Sequence, residues 1–297
     1  MKKGLVAAVL LVVIGLIALA AVMASCGWDL TKLETENFIT NTYEITEGFD
    51  GISIDTQTAD IAFAVSDDGV CRVICTEREN EKHAVCVDDG VLLIETADER
   101  KWYERIGFSF RAVKLTVCLP ETEYATLSIR ESTGDIEVPA GFTFDAAALE
   151  LSTGDVRFSA SVRETLKIKT STGDIRIENM TAGALELSVS TGEVTVSDTT
   201  CGSLTSSGST GDAVLTNVTA EGALSVERST GDVKLDGCDA EEIFVKTSTG
   251  DVTGRLRTDK VFVTETSTGS VQVPGTASGG KCGIVTSTGD IRFGEAK

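Results

Sequence analysis

One short motif limits what this chain can fold into more than anything else in it. Ser-Thr-Gly begins at Ser132, Ser152, Ser171, Ser190, Ser209, Ser229, Ser248, Ser267 and Ser287, nine copies spaced 19 or 20 residues apart. A fixed short period marks a solenoid or array, and spacing this even leaves no copy with a sizeable insertion. Apolar residues stand five and three places before the serine, as in Leu127/Ile129, Leu166/Ile168, Leu185/Leu187, Leu224/Val226 and Ile243/Val245. Polar residues mostly separate them, although Phe244 stands in that place in one copy. After the motif the alternation resumes in Val156/Phe158, Ile175/Ile177, Val194/Val196, Val233/Leu235 and Ile291/Phe293. Period-two alternation on both sides predicts two short strands, each with one buried face.

The link between the strands decides the architecture. A two-residue hairpin needs positive φ at its first central residue, which β-branched Thr avoids. Thr followed by Gly suits a type II turn, which bends the chain round a corner instead of reversing it. Successive copies then stack in parallel about 4.8 Å apart, and nine make a rod of roughly 40 Å. Val162, Met180, Val218, Cys238 and Leu256 are the expected inward residues of a less regular third side. A propeller would need about twice this period. The expected fold is therefore all-β: a parallel β-solenoid (β-helix) of 19–20-residue coils over 127–297, with an irregular β cap over 48–126.

Composition narrows the function. A net charge of −20 excludes an electrostatically driven nucleic-acid partner. His83 is the only histidine and lies in a charged stretch, so it reads as a solvated loop residue, and His-rich metal sites are nearly excluded. Of the eight cysteines, Cys201 and Cys238 sit two coils apart, beyond disulfide reach, and Cys282 takes a core position. Cys86 could reach Cys71 or Cys75 from a partner strand.

The first 25 residues read as a membrane anchor or signal. Lys2 and Lys3 precede an unbroken apolar run from Gly4 to Ala24, 21 residues that would rise about 31 Å as a helix. That length favours an uncleaved, single-pass transmembrane helix with its N-terminus inside and the body outside the cytoplasmic membrane. Met23-Ala24-Ser25-Cys26 also resembles a lipobox, so lipidation of Cys26, or simple cleavage, stays open. Residues 26–47 read as a polar connector. A degenerate copy of the repeat follows at Ile52 to Phe63, with Thr58-Ala59-Asp60-Ile61 in place of Thr-Gly-Asp-Ile. Val70 to Thr76, Ala84 to Val87 and Val91 to Thr96 read as a small antiparallel set, Asp98 to Phe110 as a charged loop, and Val113 to Leu119 as another strand. Only four residues follow Phe293, so the last coil is expected to leave an open sheet edge for self-docking or a partner.

The strongest chemical feature is a column of acids at the fourth motif position: Asp135, Asp155, Asp174, Glu193, Asp212, Asp232 and Asp251, then Ser270, then Asp290. Stacked carboxylates about 4.8 Å apart repel by about 0.9 kcal/mol per pair in water. Two readings offset this. In one, each Asp accepts backbone N–H bonds and caps its corner. In the other, Ca2+ ions bridge coils through oxygen ligands. Calcium solenoids of the nonapeptide kind use a Gly-Gly-rich loop and more ligands per turn, whereas this motif offers one carboxylate per coil, which favours capping. Thr-x-Thr pairs at Thr170/Thr172, Thr247/Thr249, Thr266/Thr268 and Thr286/Thr288 suggest a flat binding face, but ladder packing of threonine explains them better. No catalytic set is recognisable, since acids recurring in every coil behave as structural ladders do.

The Lys-Lys-led apolar segment, the juncture Gly27-Trp28-Asp29-Leu30-Thr31-Lys32-Leu33, the Ile52 to Phe63 strand pair, the Leu119-Pro120 ending and the serial corners together resemble a bacterial domain family of unknown function labelled putative adhesins. The resemblance covers nearly the whole chain and implies a membrane-anchored β-helical protein of Gram-positive type, in some members linked to envelope stress. It carries over no catalytic or ligand residue. The expected function is a non-enzymatic cell-surface adhesion or scaffold module that takes an envelope protein or surface glycan as partner. The alternatives are an envelope-stress accessory that binds a membrane partner, and a glycan-active enzyme.

Overall fold

The computed structural model describes residues 2–25, 27, 37–98 and 112–296. A helix, α1, runs over Lys2–Ser25. Counting only the residues described, no helix is long and apolar enough to cross a membrane, so the expected span is not shown. Cys26, and most of the loop expected at Asp98 to Phe110, lie outside the described residues.

The rest is β structure. The cap contributes β1 (Phe38–Ile45), β2 (Gly51–Thr58), β3 (Asp60–Val65), β4 (Cys71–Arg78), β5 (Glu81–Asp88), β6 (Val91–Asp98) and β7 (Lys114–Leu119). β2 and β3 are the degenerate copy, and they pair in parallel with β8 (Glu123–Thr133) and β9 (Ile136–Val138), the first regular coil. From there, every coil lays its first strand beside that of its neighbour in one register. Ile129, Leu149, Ile168 and Leu187 form one inward column, and Leu166, Leu185, Leu204, Leu224 and Ile243 another. These side chains are buried, as are all five expected on the third side: Val162, Met180, Val218, Cys238 and Leu256. Repetition thus turns a two-residue alternation into a continuous apolar core.

The corner departs from the expected type II turn. The motif glycines have φ between 122° and 154°, beyond the roughly +80° of that turn. A Cβ on Gly173 would lie 2.0 Å from the Gly154 carbonyl oxygen one coil away. Glycine is therefore required both by backbone conformation and by the close approach of neighbouring coils. A second corner uses Asn179, Asp198, Asn217 and Gly237, all at positive φ, where Asn, Asp and Gly are the residues that tolerate it.

Four expectations are corrected. Phe38–Ile45, placed in the connector, is a strand that pairs antiparallel with β4 from Phe38↔Arg78 to Ile45↔Cys71; its alternating pattern lets one face pack on the cap. His83, expected in a solvated turn, lies on β5 and is buried. Cys86 is exposed and free, while Cys71 and Cys75 are buried and free, so the suggested bridge is not formed. Finally, the last two coils are stacked out of chain order. Glu242–Thr249 pairs with Gly280–Thr288, and only then does Gly280–Thr288 pair with Lys260–Thr268. The second strands follow the same order, Val252–Leu256, Ile291–Gly294 and Val271–Gln272. Among the described residues, the open end of the rod therefore belongs to residues 260–272, and the coil of Gly280–Gly294 lies one layer inside it.

Candidate functional site

The acid column is a hydrogen-bonded ladder between coils. Asp60 Oδ1 accepts from the Asp135 N–H at 3.3 Å, Asp135 from Asp155 at 2.9 Å, Asp155 from Asp174 at 2.8 Å and Asp174 from Glu193 at 2.8 Å. It resumes with Asp212 accepting from Asp232, Asp232 from Asp251 and Asp251 from Asp290, each at 2.8 Å. Each carboxylate thus caps the corner of the next coil as well as following its own, which offsets the repulsion along the column. Glu193, one methylene longer, turns to the Thr195 hydroxyl at 2.8 Å.

The inverted coil order explains the one serine. Ser270 donates its N–H to Asp290 Oδ1 at 2.6 Å and its hydroxyl to the same oxygen at 2.9 Å. Along the chain Ser270 interrupts the acids, but in space it closes the column, where no further described coil needs an acceptor. Its two bonds hold the Asp290 carboxyl below its ordinary range.

Just inside each corner runs a second column that the sequence reading missed. The residue preceding each motif serine falls in this column: Glu131, Leu151, Thr170, Val189, Gly208, Arg228, Thr247, Thr286 and Thr266 are in register, and all but Gly208 and the half-buried Thr266 are buried. Thr247 and Thr286 donate to the Gly231 and Gly250 carbonyls, each at 3.2 Å. The first Thr of these Thr-x-Thr pairs is therefore an internal brace, not part of a flat outer face. Glu131 hydrogen-bonds Thr56 Oγ1 and accepts from the Ala59 and Thr133 N–H groups. Burial dominates these bonds and raises its carboxyl to about 7. Arg228 donates to Ser206 Oγ and to the Glu227 carbonyl, both at 2.9 Å, and burial lowers its guanidinium to about 10. Gly208 makes room for it, since a Cβ there would lie 3.0 Å from Arg228 Nη1.

The cap carries a third polar group. Glu77, fully buried on β4, accepts from Asn41 Nδ2 at 2.6 Å, from the His83 N–H at 2.6 Å and from His83 Nδ1 at 2.7 Å. Tyr43 donates to the His83 carbonyl at 3.2 Å, and Cys75 lies beside the pair. Alternation held the signal: Cys71, Val73, Cys75 and Glu77 share one face of β4, and Glu81 and His83 share one face of β5.

The outer surface is mostly polar along the rod and changes at its open end. Phe244, Gly283 and Val263 lie in one row across three strands, and Phe244, Val261, Val263 and Val271 are exposed. A cleft of about 440 Å³ opens in the cap among Ile45, Phe49, Val70, Cys71, Pro120 and Tyr124.

These features define a class, the all-β parallel solenoid of roughly 20-residue coils with an antiparallel cap. Residues 49–293 match the family described as Toastrack DUF4097, and the chain belongs to that family. Among solved structures, a putative adhesin from Parabacteroides distasonis aligns at TM-score 0.54 and 13% identity, over 87% of this chain and 98% of that one. A putative lipid binding protein from the same species aligns at 0.53 and 14%, over 88% and 98%. At these identities the likeness is one of fold. No curated protein matches the chain.

Proposed function

We propose that this chain is a non-enzymatic adhesion or scaffold module of the cell envelope, tethered by α1, with the solenoid outside the cytoplasmic membrane and the end coil at 260–272 as its contact surface. The observation that carries the reading is the change of surface at that end. Along the rod the acids are engaged in holding coils together, whereas at the end Phe244 and Val263 are exposed in one row, and Val261 and Val271 are exposed on the end coil beside its unpaired strand edge. Apolar side chains exposed beside a free strand edge favour a partner there. The adhesin description of a solved neighbour supports the reading by analogy of fold. The tether rests on the apolar run Gly4 to Ala24, ten of whose side chains lie outside the described set.

The test is a pull-down with full-length protein from solubilised membranes, with and without calcium, alongside binding to a cell-wall glycan panel. Mass spectrometry reads the captured proteins and the N-terminal mass, which also reports lipid on Cys26. The expected result is a partner or glycan held by the wild type and lost in Val263→Glu, an exposed change that leaves the fold intact. Binding that survives Val263→Glu would move the contact surface away from the end coil.

A further inference from the structure

Among the described residues, one set of three metal-ligating side chains converges. Cys75 Sγ, a Glu77 carboxylate oxygen and a His83 ring nitrogen all lie within 4.8 Å of one another. Tetrahedral Zn2+ binds sulfur at about 2.3 Å and nitrogen or oxygen at about 2.0–2.2 Å, so its ligand atoms stand roughly 3.3–3.7 Å apart. Small side-chain rotations would close the set around an ion without moving a strand. Cys75 and Glu77 are two residues apart on one face of β4, and His83 faces them from β5 across the Arg78↔Glu81 hairpin closure.

Burial makes this set unlike a chance surface cluster. Cys75, Glu77 and His83 are 0%, 0% and 4% exposed, and His83 is the only histidine in the chain. A carboxylate out of reach of solvent is costly unless compensated. Three donors compensate it here, and a divalent cation would do so while also engaging the thiol, with release of its proton. Burial and the nearby Glu77 charge hold that thiol at about 12 without an ion. One sulfur, one nitrogen and one oxygen donor suit Zn2+ or Co2+, whereas Ca2+ and Mg2+ take oxygen ligands.

We propose that Cys75, Glu77 and His83 form a binding site for Zn2+, or a metal ion of like chemistry, that ties β4 to β5 and, through Asn41 and Tyr43, to β1. Without metal the same residues form a buried hydrogen-bonded pair beside a thiol, and one experiment separates the two states. Full-length protein, stripped with chelator, is titrated with Co2+ alone and followed by the thiolate-to-cobalt charge-transfer band, with metal content after Zn2+ loading as a second measure. The expected result is a band saturating at about one ion per chain. It should disappear in Cys75→Ser, weaken more than about tenfold in His83→Gln, and persist in Cys71→Ser. His83→Gln keeps a polar partner for Glu77, so it decides the matter if Cys75→Ser fails to fold. A wild-type protein that binds no Co2+ or Zn2+, or a band that survives in both Cys75→Ser and His83→Gln, would overturn the proposal.

Discussion

The middle of the rod and the cap handle the same problem, polar atoms beside an apolar core, in opposite ways. In the coil from Ser161 to Ile177 the solution is periodic. The Asp155 carboxylate caps Asp174, the Asp174 carboxylate caps Glu193, and Gly173 packs against the Gly154 carbonyl. In the β4–β5 hairpin the solution occurs once, as a fully buried carboxylate held by Asn41 and His83. Stability in the rod is shared among equivalent interfaces, as expected of a quasi-one-dimensional array. In the cap it is concentrated in a few groups, each of which leaves another unpaired when removed.

The hardest test of the periodic half is its corner. Gly173→Ala should cost more than about 3 kcal/mol, because the new Cβ must displace backbone in the adjoining coil as well as adopt a positive φ. Gly275→Ala, with nothing within 4 Å of the added atom, should stay within about 0.5 kcal/mol. Urea midpoints compare the two, and equal losses would refute the shared-corner account.

Where rod meets cap, Glu131 makes stability depend on pH. Its folded carboxyl is raised from 4.5 to about 7, so the folded state holds the proton more tightly than the unfolded chain. The stabilisation is fully present below about 4.5 and is lost as pH rises through about 7, a fall of order 3 kcal/mol. Urea unfolding at a series of pH values should show this slope, and Glu131→Gln should flatten it. A slope unchanged in that variant would assign it to other groups.

The ladder itself predicts smaller effects. Asp174→Ala removes the acceptor for the Glu193 N–H and should cost about 1 kcal/mol. Asp174→Asn keeps an oxygen in place and should cost less. Ser270→Asp, at the end of the column, keeps the N–H bond to Asp290 but loses the hydroxyl bond and adds a like charge, and should also cost about 1 kcal/mol. Thermal melts of the three variants would show whether the carboxylates act mainly as acceptors for a neighbouring coil.

Much of the rod was legible because each repeat states its structure again. Leu166/Ile168 and Ile175/Ile177 face inward as their alternation requires, and the Thr-Gly pair marks a corner. Position in the array was less legible. That Ser270 ends the acid column depends on which coil lies next to which, and near-identical coils carry almost no information about their order. Arg228 was missed because a charged residue at a corner reads as solvated until Ser206 and Gly208, in the adjacent coil, are seen to make room for it. His83 was missed because the charges around it suggested a turn, while the alternation through Glu81, His83 and Val85 indicated a strand. The metal reading of Cys75, Glu77 and His83 needed the hairpin register, which joins residues whose spacing alone matches no familiar ligand motif.

The exchanged order of the last two coils has a consequence for how the protein is made. A chain emerging N-terminus first can add each coil to the one before it as far as Leu256. The segment Lys260–Gln272 then has no seat, because the layer that receives it is formed by Gly280–Gly294. It must wait until Gly280–Gly294 has been delivered and has docked ahead of it. A product that stops before Gly280 would therefore lack both closing layers, not one.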